Sequence, residues 1–221
     1  MGKGNNFERD ISKLMSLWWT QDKFDDAIWH TSGSGGRATN RKRSNKEAKK
    51  EDHGDLKADL PIAQPLFNFF SIELKTGYAK KTKTKGIIKQ TNWSLMDSLD
   101  SKQQQTQFFQ FWEQSQKDAD DSGREPILVF RRNNKQACIS MYSDIFNAFI
   151  KRCNHPEFEY ITINFCSEEF CYPQISICNL YKFFEWTKGK IKPVKEKNGT
   201  YGCRFIDFSL KRVLFNRYRG K

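Results

Sequence analysis

The chain has 221 residues, of which 37% are hydrophobic and 14% aromatic, enough apolar material for one filled core and too much for a disordered polymer. Its formal net charge of +12 points to an anionic partner, nucleic acid first and an anionic membrane surface second. No apolar run approaches the ~18 residues of a spanning helix, so no membrane anchor is expected. The N-terminus MGKGNNFERD lacks the apolar stretch of a secretory signal, which makes the expected location cytoplasmic. The six cysteines include no C-x-x-C pair and read as packed thiols, not as disulfides or zinc ligands.

Helical spacing of Phe7, Ile11, Leu14 and Trp18, widened by Met15, predicts a first helix over about residues 6–19, with Asn5 and Glu8 as a capping box. Glu8 also borders the apolar stripe, from where a carboxylate can reach into a site. AIWHT at 27–31 is short enough for an edge strand or a turn end. The stretch from Thr31 to Asp52 opens TSGSGGR, cannot bury apolar area, and reads as a mobile loop. Ser32, Ser34 and the glycines offer hydroxyls and backbone N–H groups to phosphate. Arg37, Arg41, Lys42, Arg43, Lys46, Lys49 and Lys50 add charge against one acid, Glu47.

The organising stretch is 53–75, HGDLKADLPIAQPLFNFFSIELK. Its end reads as a strand with Phe70, Ile72 and Leu74 on one face and Ser71, Glu73 and Lys75 on the other. Asp55 follows a glycine and opens a short alternating segment, with Lys57 and Asp59 on its side. If the two segments are neighbours, Asp55, Glu73 and Lys75 meet at one sheet edge. Paired carboxylates are hard oxygen donors of the kind magnesium or manganese takes, and the nearby lysine can orient water or offset developing charge. Those are the ingredients of a phosphodiesterase site. An E-x-K triplet alone is more often a solvated strand face, so its context carries the weight. His53 reads as a polar loop residue.

Residues 76–89, TGYAKKTKTKGIIK, hold Lys80, Lys81, Lys83, Lys85 and Lys89 without an acid and read as a loop near the substrate, with Tyr78 placed to stack on a base or sugar. A helix is expected over about 102–119, its apolar face built from Phe108, Phe109, Phe111 and Trp112, ended by Gly123. Gln104, Gln107, Gln110 and Gln114 lie along it. PILVFRR then reads as a central strand, joined through Asn133 and Asn134 to the strand QACISMY. A helix at 144–153, strands in EYITINF and QISICNL, a helix from Tyr181 and a basic C-terminal run complete the chain. This order predicts an α/β sheet in a single domain, 1–221.

FERD at 7–10, TSGSGGR at 31–37, HGD at 53–55 and IELK at 72–75 together resemble the PD-(D/E)xK nuclease superfamily, over residues 5 to about 132. Within it the resemblance is to phage-type endonucleases related to Holliday junction resolvases. It implies a restriction-endonuclease-like core, a mixed four-stranded sheet flanked by helices, leaving about 133–221 as a C-terminal α+β extension. It implies a metal site, Mg2+ or Mn2+, at Asp55, Glu73 and the Leu74 carbonyl, with Glu8 contributing from the first helix and Lys75 as the catalytic lysine. Asp59 is the rival to Asp55. Gln114, with Gln110 behind it, matches a helical Gln seen in some relatives. Ser32, Ser34, Arg37, Arg41, Lys42, Arg43, Lys80 and Lys81 are the expected DNA contacts. The expected activity is metal-dependent hydrolysis of DNA, branched DNA included, by a homodimer that makes two symmetric cuts. A non-catalytic basic nucleic-acid-binding protein of the same fold, and a nuclease acting on RNA, are the alternatives.

Overall fold

The computed structural model describes residues 3–31, 53–77, 82–84, 87–89, 106–164 and 173–206. Helix α1, Lys3–Thr20, buries Phe7, Ile11, Met15, Trp18 and Trp19 as a stripe recurring every three or four residues. Two serines interrupt the stripe for a reason. Ser16 Oγ donates to the Ser12 carbonyl at 2.8 Å and accepts the Ile28 N–H at 2.8 Å, which docks strand β1, Ile28–His30, on the helix. Helix α1 begins at Lys3, so Asn5 lies inside it and not at the N-cap position expected. Strand β2, Leu56–Ala58, pairs antiparallel with β1 in a separate two-stranded ribbon.

A 3-10 turn at Pro61–Ala63 and a short helix α2, Gln64–Phe69, lead into β3, Phe70–Gly77. Within the stretch expected to be a loop, β4, Thr82–Thr84, and β5, Ile87–Lys89, pair antiparallel. Helix α3, Gln107–Ser122, starts where the Thr106 hydroxyl accepts the Phe109 N–H, and stops at Gly123, whose φ of 65° is the left-handed conformation a glycine adopts without penalty. After it come β6, Glu125–Arg132, β7, Cys138–Tyr142, α4, Ser143–Cys153, β8, Tyr160–Ile163, β9, Ile175–Asn179, and α5, Leu180–Thr187. A last two-stranded ribbon joins β10, Val194–Lys195, to β11, Tyr201–Gly202.

The main sheet is mixed and has five strands in the order β3-β6-β7-β9-β8, where four were expected. Only β3 and β6 run parallel, over eight residue pairs from Phe70 and Glu125 to Gly77 and Arg132. Only β3 and β6 come from the stretch read as the core; β7, β8 and β9 all lie in the segment read as an extension, and β9 is buried from Ile175 to Cys178. Such a strand needs a partner on both edges, and it lies between β7 and β8.

Helices cover both faces. Phe130 meets Phe108 of α3 edge to face at 5.3 Å, while the next residue, Arg131, lies 4.5 Å over the Phe7 ring of α1. Consecutive strand residues point to opposite faces, so α1 and α3 sandwich the parallel pair. Strand β3 is the outermost strand, and its alternation puts Ser71, Glu73 and Lys75 under α3 with Ile72 and Leu74 on the α1 side. The polar face of this strand is therefore buried, not solvated: Ser71 is 2% and Glu73 5% exposed. No helix among the described residues is long and apolar enough to cross a membrane.

Candidate active site

Among the described residues the outer edge of β3 has no strand partner, and the Gly54-Asp55 turn satisfies it instead. Asp55 N–H donates to the Ile72 carbonyl at 2.8 Å, and the Leu74 N–H donates to Asp55 Oδ2 at 2.8 Å. On its other side the Asp55 carbonyl accepts the Thr31 N–H at 2.8 Å, and Thr31 Oγ1 donates to the Gly54 carbonyl at 2.8 Å. Only glycine fits at 54, where φ is +83° and an added Cβ would stand 3.1 Å from both the Ile72 carbonyl oxygen and Ser71 Oγ. Backbone groups of alternate strand residues share an edge, so the Leu74 carbonyl also lies on the Asp55 side.

Glu73 holds the centre. Its Oε1 accepts from Lys75 Nζ at 2.6 Å and from Gln114 Nε2 of α3 at 3.0 Å. Burial first, and then the negative charge of Asp55, push its carboxyl up from 4.5 to about 7, with Lys75 opposing. Lys75 is itself mostly buried and lies 5.5 Å over the Phe111 ring. Glu8 reaches the same region from α1. Its carboxyl is raised by burial and by Asp55, and lowered by His30 and Lys75.

Two further residues complete the surroundings and were not foreseen. Asp118 lies one helical turn beyond Gln114, with its carboxyl raised by burial and by Asp55 and lowered by His53 and Lys75. Its Oδ1 is 3.8 Å from His53 Nδ1, an electrostatic contact too long for a hydrogen bond. His53 is not the polar loop residue expected: at 5% exposure it is buried beneath α3. Arg124, 8% exposed, donates to the carbonyls of His53 at 2.9 Å, Phe67 at 3.3 Å and Phe70 at 3.4 Å, tying the turn before Asp55 to the start of β3. The i,i+4 relation to Gln114 could have flagged Asp118, whereas no local pattern marks Arg124.

Asp55, Glu73, Lys75, Glu8 and Gln114 are thus brought together. Gln110 is not, since its side-chain oxygen accepts from Gln107 at 3.5 Å on the exposed side of α3. Asp59 lies beyond β2, exposed, with its N–H on the Ala27 carbonyl. Ser32, Ser34, Arg37, Arg41, Lys42, Arg43, Tyr78, Lys80, Lys81 and the C-terminal basic run lie outside the described residues.

The donor set suits a hard divalent cation. The charge of Asp55 adds to the cost of ionising the buried Glu73, a cost that a cation relieves, and the Leu74 carbonyl adds a neutral oxygen. Among the described residues no group of three His, Cys, Asp or Glu side chains is placed to hold a metal ion, so Glu8 does not join Asp55 and Glu73 as a third direct ligand. An open set of this kind suits magnesium, which keeps several waters and takes substrate phosphate oxygens.

A Gly-Asp turn hydrogen-bonded to the edge of a Glu-x-Lys strand, on a mixed sheet between helices, defines the PD-(D/E)xK class of nucleases. The chain belongs to one family within it: the model described as "Phage putative PDDEXK endonuclease" matches residues 1–193. No curated protein and no solved structure matches the chain.

Proposed function

We propose that the protein is a magnesium-dependent endonuclease that hydrolyses phosphodiester bonds of DNA, with branched, Holliday-junction-like DNA as its preferred substrate and a homodimer as its working form. The observation that carries the chemistry is the buried Glu73 carboxylate, pushed up to about 7 beside Asp55 and bonded at 2.6 Å to Lys75. Asp55, Glu73 and the Leu74 carbonyl would hold Mg2+, or Mn2+ in its place, with Glu8 binding through the metal's waters. Bound there, the cation supplies an activated water and screens charge on the leaving oxygen.

The chain's own groups do the rest. Gln114 and Lys75 both donate to Glu73 Oε1 and so fix which way the carboxylate faces. Lys75 Nζ, held beside Glu73, is placed to act on a phosphate oxygen, whose negative charge grows as water adds to phosphorus and the P–O bond to the leaving strand breaks. Phe111 and the α3 roof keep bulk water from this ammonium, which strengthens its action on the phosphate. Asp55 is fixed by the β3 edge before any substrate arrives, so little reorganisation is needed at the reacting centre. We read residues 1–221 as one nuclease-like domain.

The second reading is a non-catalytic nucleic-acid-binding protein of the same fold, favoured by the formal net charge of +12. Incubation of labelled four-way junction, nicked, linear duplex and single-stranded DNA with magnesium, beside a Glu73→Ala variant, separates them. Paired symmetric cuts in the junction that vanish in the variant are expected. Salt-sensitive binding without cleavage, the same in both proteins, would establish the second reading instead.

A further inference from the structure

A cavity of about 390 Å³ lies between the C-terminal end of α4, the turn after α5 and the segment following β11. Arg152, Lys190, Lys192 and Arg204 line it, and no acidic residue does. Among the described residues none of these four has a carboxylate within ion-pair distance, whereas Lys182 and Lys188 on the same helix and turn pair with Glu159 and Asp22. Structural duties account for only part of the cluster. Lys190 Nζ donates to the Cys153 carbonyl at 3.1 Å and so caps α4, and Arg152 suits the last turn of that helix. Lys192 and Arg204 are exposed and make no such bond. The cavity's inner wall is apolar, with Ile191 and Phe205 buried to 2% and 5% exposure.

From this combination we infer that the cavity is a phosphate-binding subsite that grips the sugar-phosphate backbone of a nucleic acid away from the scissile bond. A cationic rim over an apolar wall matches a phosphate flanked by sugar carbons. The cavity adjoins the far end of α1: Trp18 Nε1 donates to Thr187 Oγ1 at 2.9 Å, and Lys188 pairs with Asp22. Glu8 stands near the other end, about 18 Å from Thr20 along the helix axis at ~1.5 Å per residue. At about 3.4 Å per step, that separation corresponds to roughly five base pairs of duplex, a distance one substrate can bridge. The identity of the ligand as the DNA substrate rests on the proposed nuclease function.

The test is fluorescence anisotropy of a labelled duplex of about 30 base pairs in EDTA, comparing wild type with the Lys192→Glu/Arg204→Glu double variant across a salt series. About tenfold weaker binding at low salt is expected, with a log Kd against log salt slope reduced by about 2, because each phosphate contact contributes ~0.9. Lys192→Gln/Arg204→Gln should give an intermediate loss with an unchanged thermal midpoint, which separates charge from folding. Equal affinity and slope in wild type and variant would overturn the inference. So would calorimetric binding of inorganic phosphate that the variant loses while duplex affinity stays unchanged, since the cavity would then serve a free anion. Failure of wild type to bind any duplex would instead sink the nucleic-acid reading itself, while cleavage surviving Glu73→Ala would sink the catalytic assignment and leave the cavity result standing.

Discussion

In the metal-free protein the Glu73 carboxyl is held at about 7 against an ordinary 4.5. Between these pH values the folded state keeps a proton that the unfolded chain releases, so stability falls as pH rises through the interval. At about 1.4 kcal/mol per pH unit, the interval from 4.5 to about 7 amounts to roughly 3 kcal/mol of stability, fully present below 4.5 and lost above 7. Glu73→Gln removes the charge yet keeps an oxygen to accept from Lys75 Nζ and Gln114 Nε2. In EDTA the variant should therefore be roughly 3 kcal/mol more stable than wild type near pH 8 and equal to it near pH 4. Urea denaturation at the two pH values measures this directly. Magnesium should then nearly cancel this difference, adding about 2.7 kcal/mol to wild type alone at ~100-fold excess over its Kd. A variant less stable than wild type near pH 8, or an identical difference at both pH values, would refute the picture of a buried carboxylate kept at a cost for its charge.

Lys75→Ala should lower kcat by about 10² to 10³ while duplex affinity changes little, because the ammonium acts on charge that appears in the transition state; steady-state cleavage beside anisotropy measures both. Gly54→Ala meets a positive φ and two contacts at 3.1 Å with Ile72 and Ser71, and should cost roughly 2 to 3 kcal/mol of stability, read from the shift in the urea midpoint. Arg124→Met removes donors from three buried carbonyls and should cost about 3 kcal/mol, with a matching fall in the thermal midpoint; a loss below about 0.5 kcal/mol would mean the guanidinium is not what ties the Asp55 turn to β3.

What the sequence disclosed depended on the range of each signal. The α1 stripe, the Thr106 to Gly123 helix and the alternation of FSIELK are local periods, and each emerges as the element its spacing implied. Gly54 before Asp55 was legible as punctuation, because only a glycine tolerates that backbone beside Ile72. The strand in QISICNL was legible too, but not its place inside the main sheet, since the partners of β9 are chosen by burial and not by spacing. Arg124 reaches the carbonyl of His53 across 71 positions, and Asp118 faces His53 only because α3 folds over β3. Such contacts join residues from separate elements and leave no repeat to read. The cationic cavity is of the same kind, assembled from three segments that look like ordinary surface charge when taken singly.

The central claim is that the Asp55, Glu73 and Lys75 edge of β3 cuts DNA with a divalent cation. Its most direct test is nicking of supercoiled plasmid by purified wild type and Glu73→Ala in magnesium, with EDTA as the blank. The account predicts nicked and linear products from wild type alone, abolished by EDTA. Nicking by Glu73→Ala at the wild-type rate would contradict it.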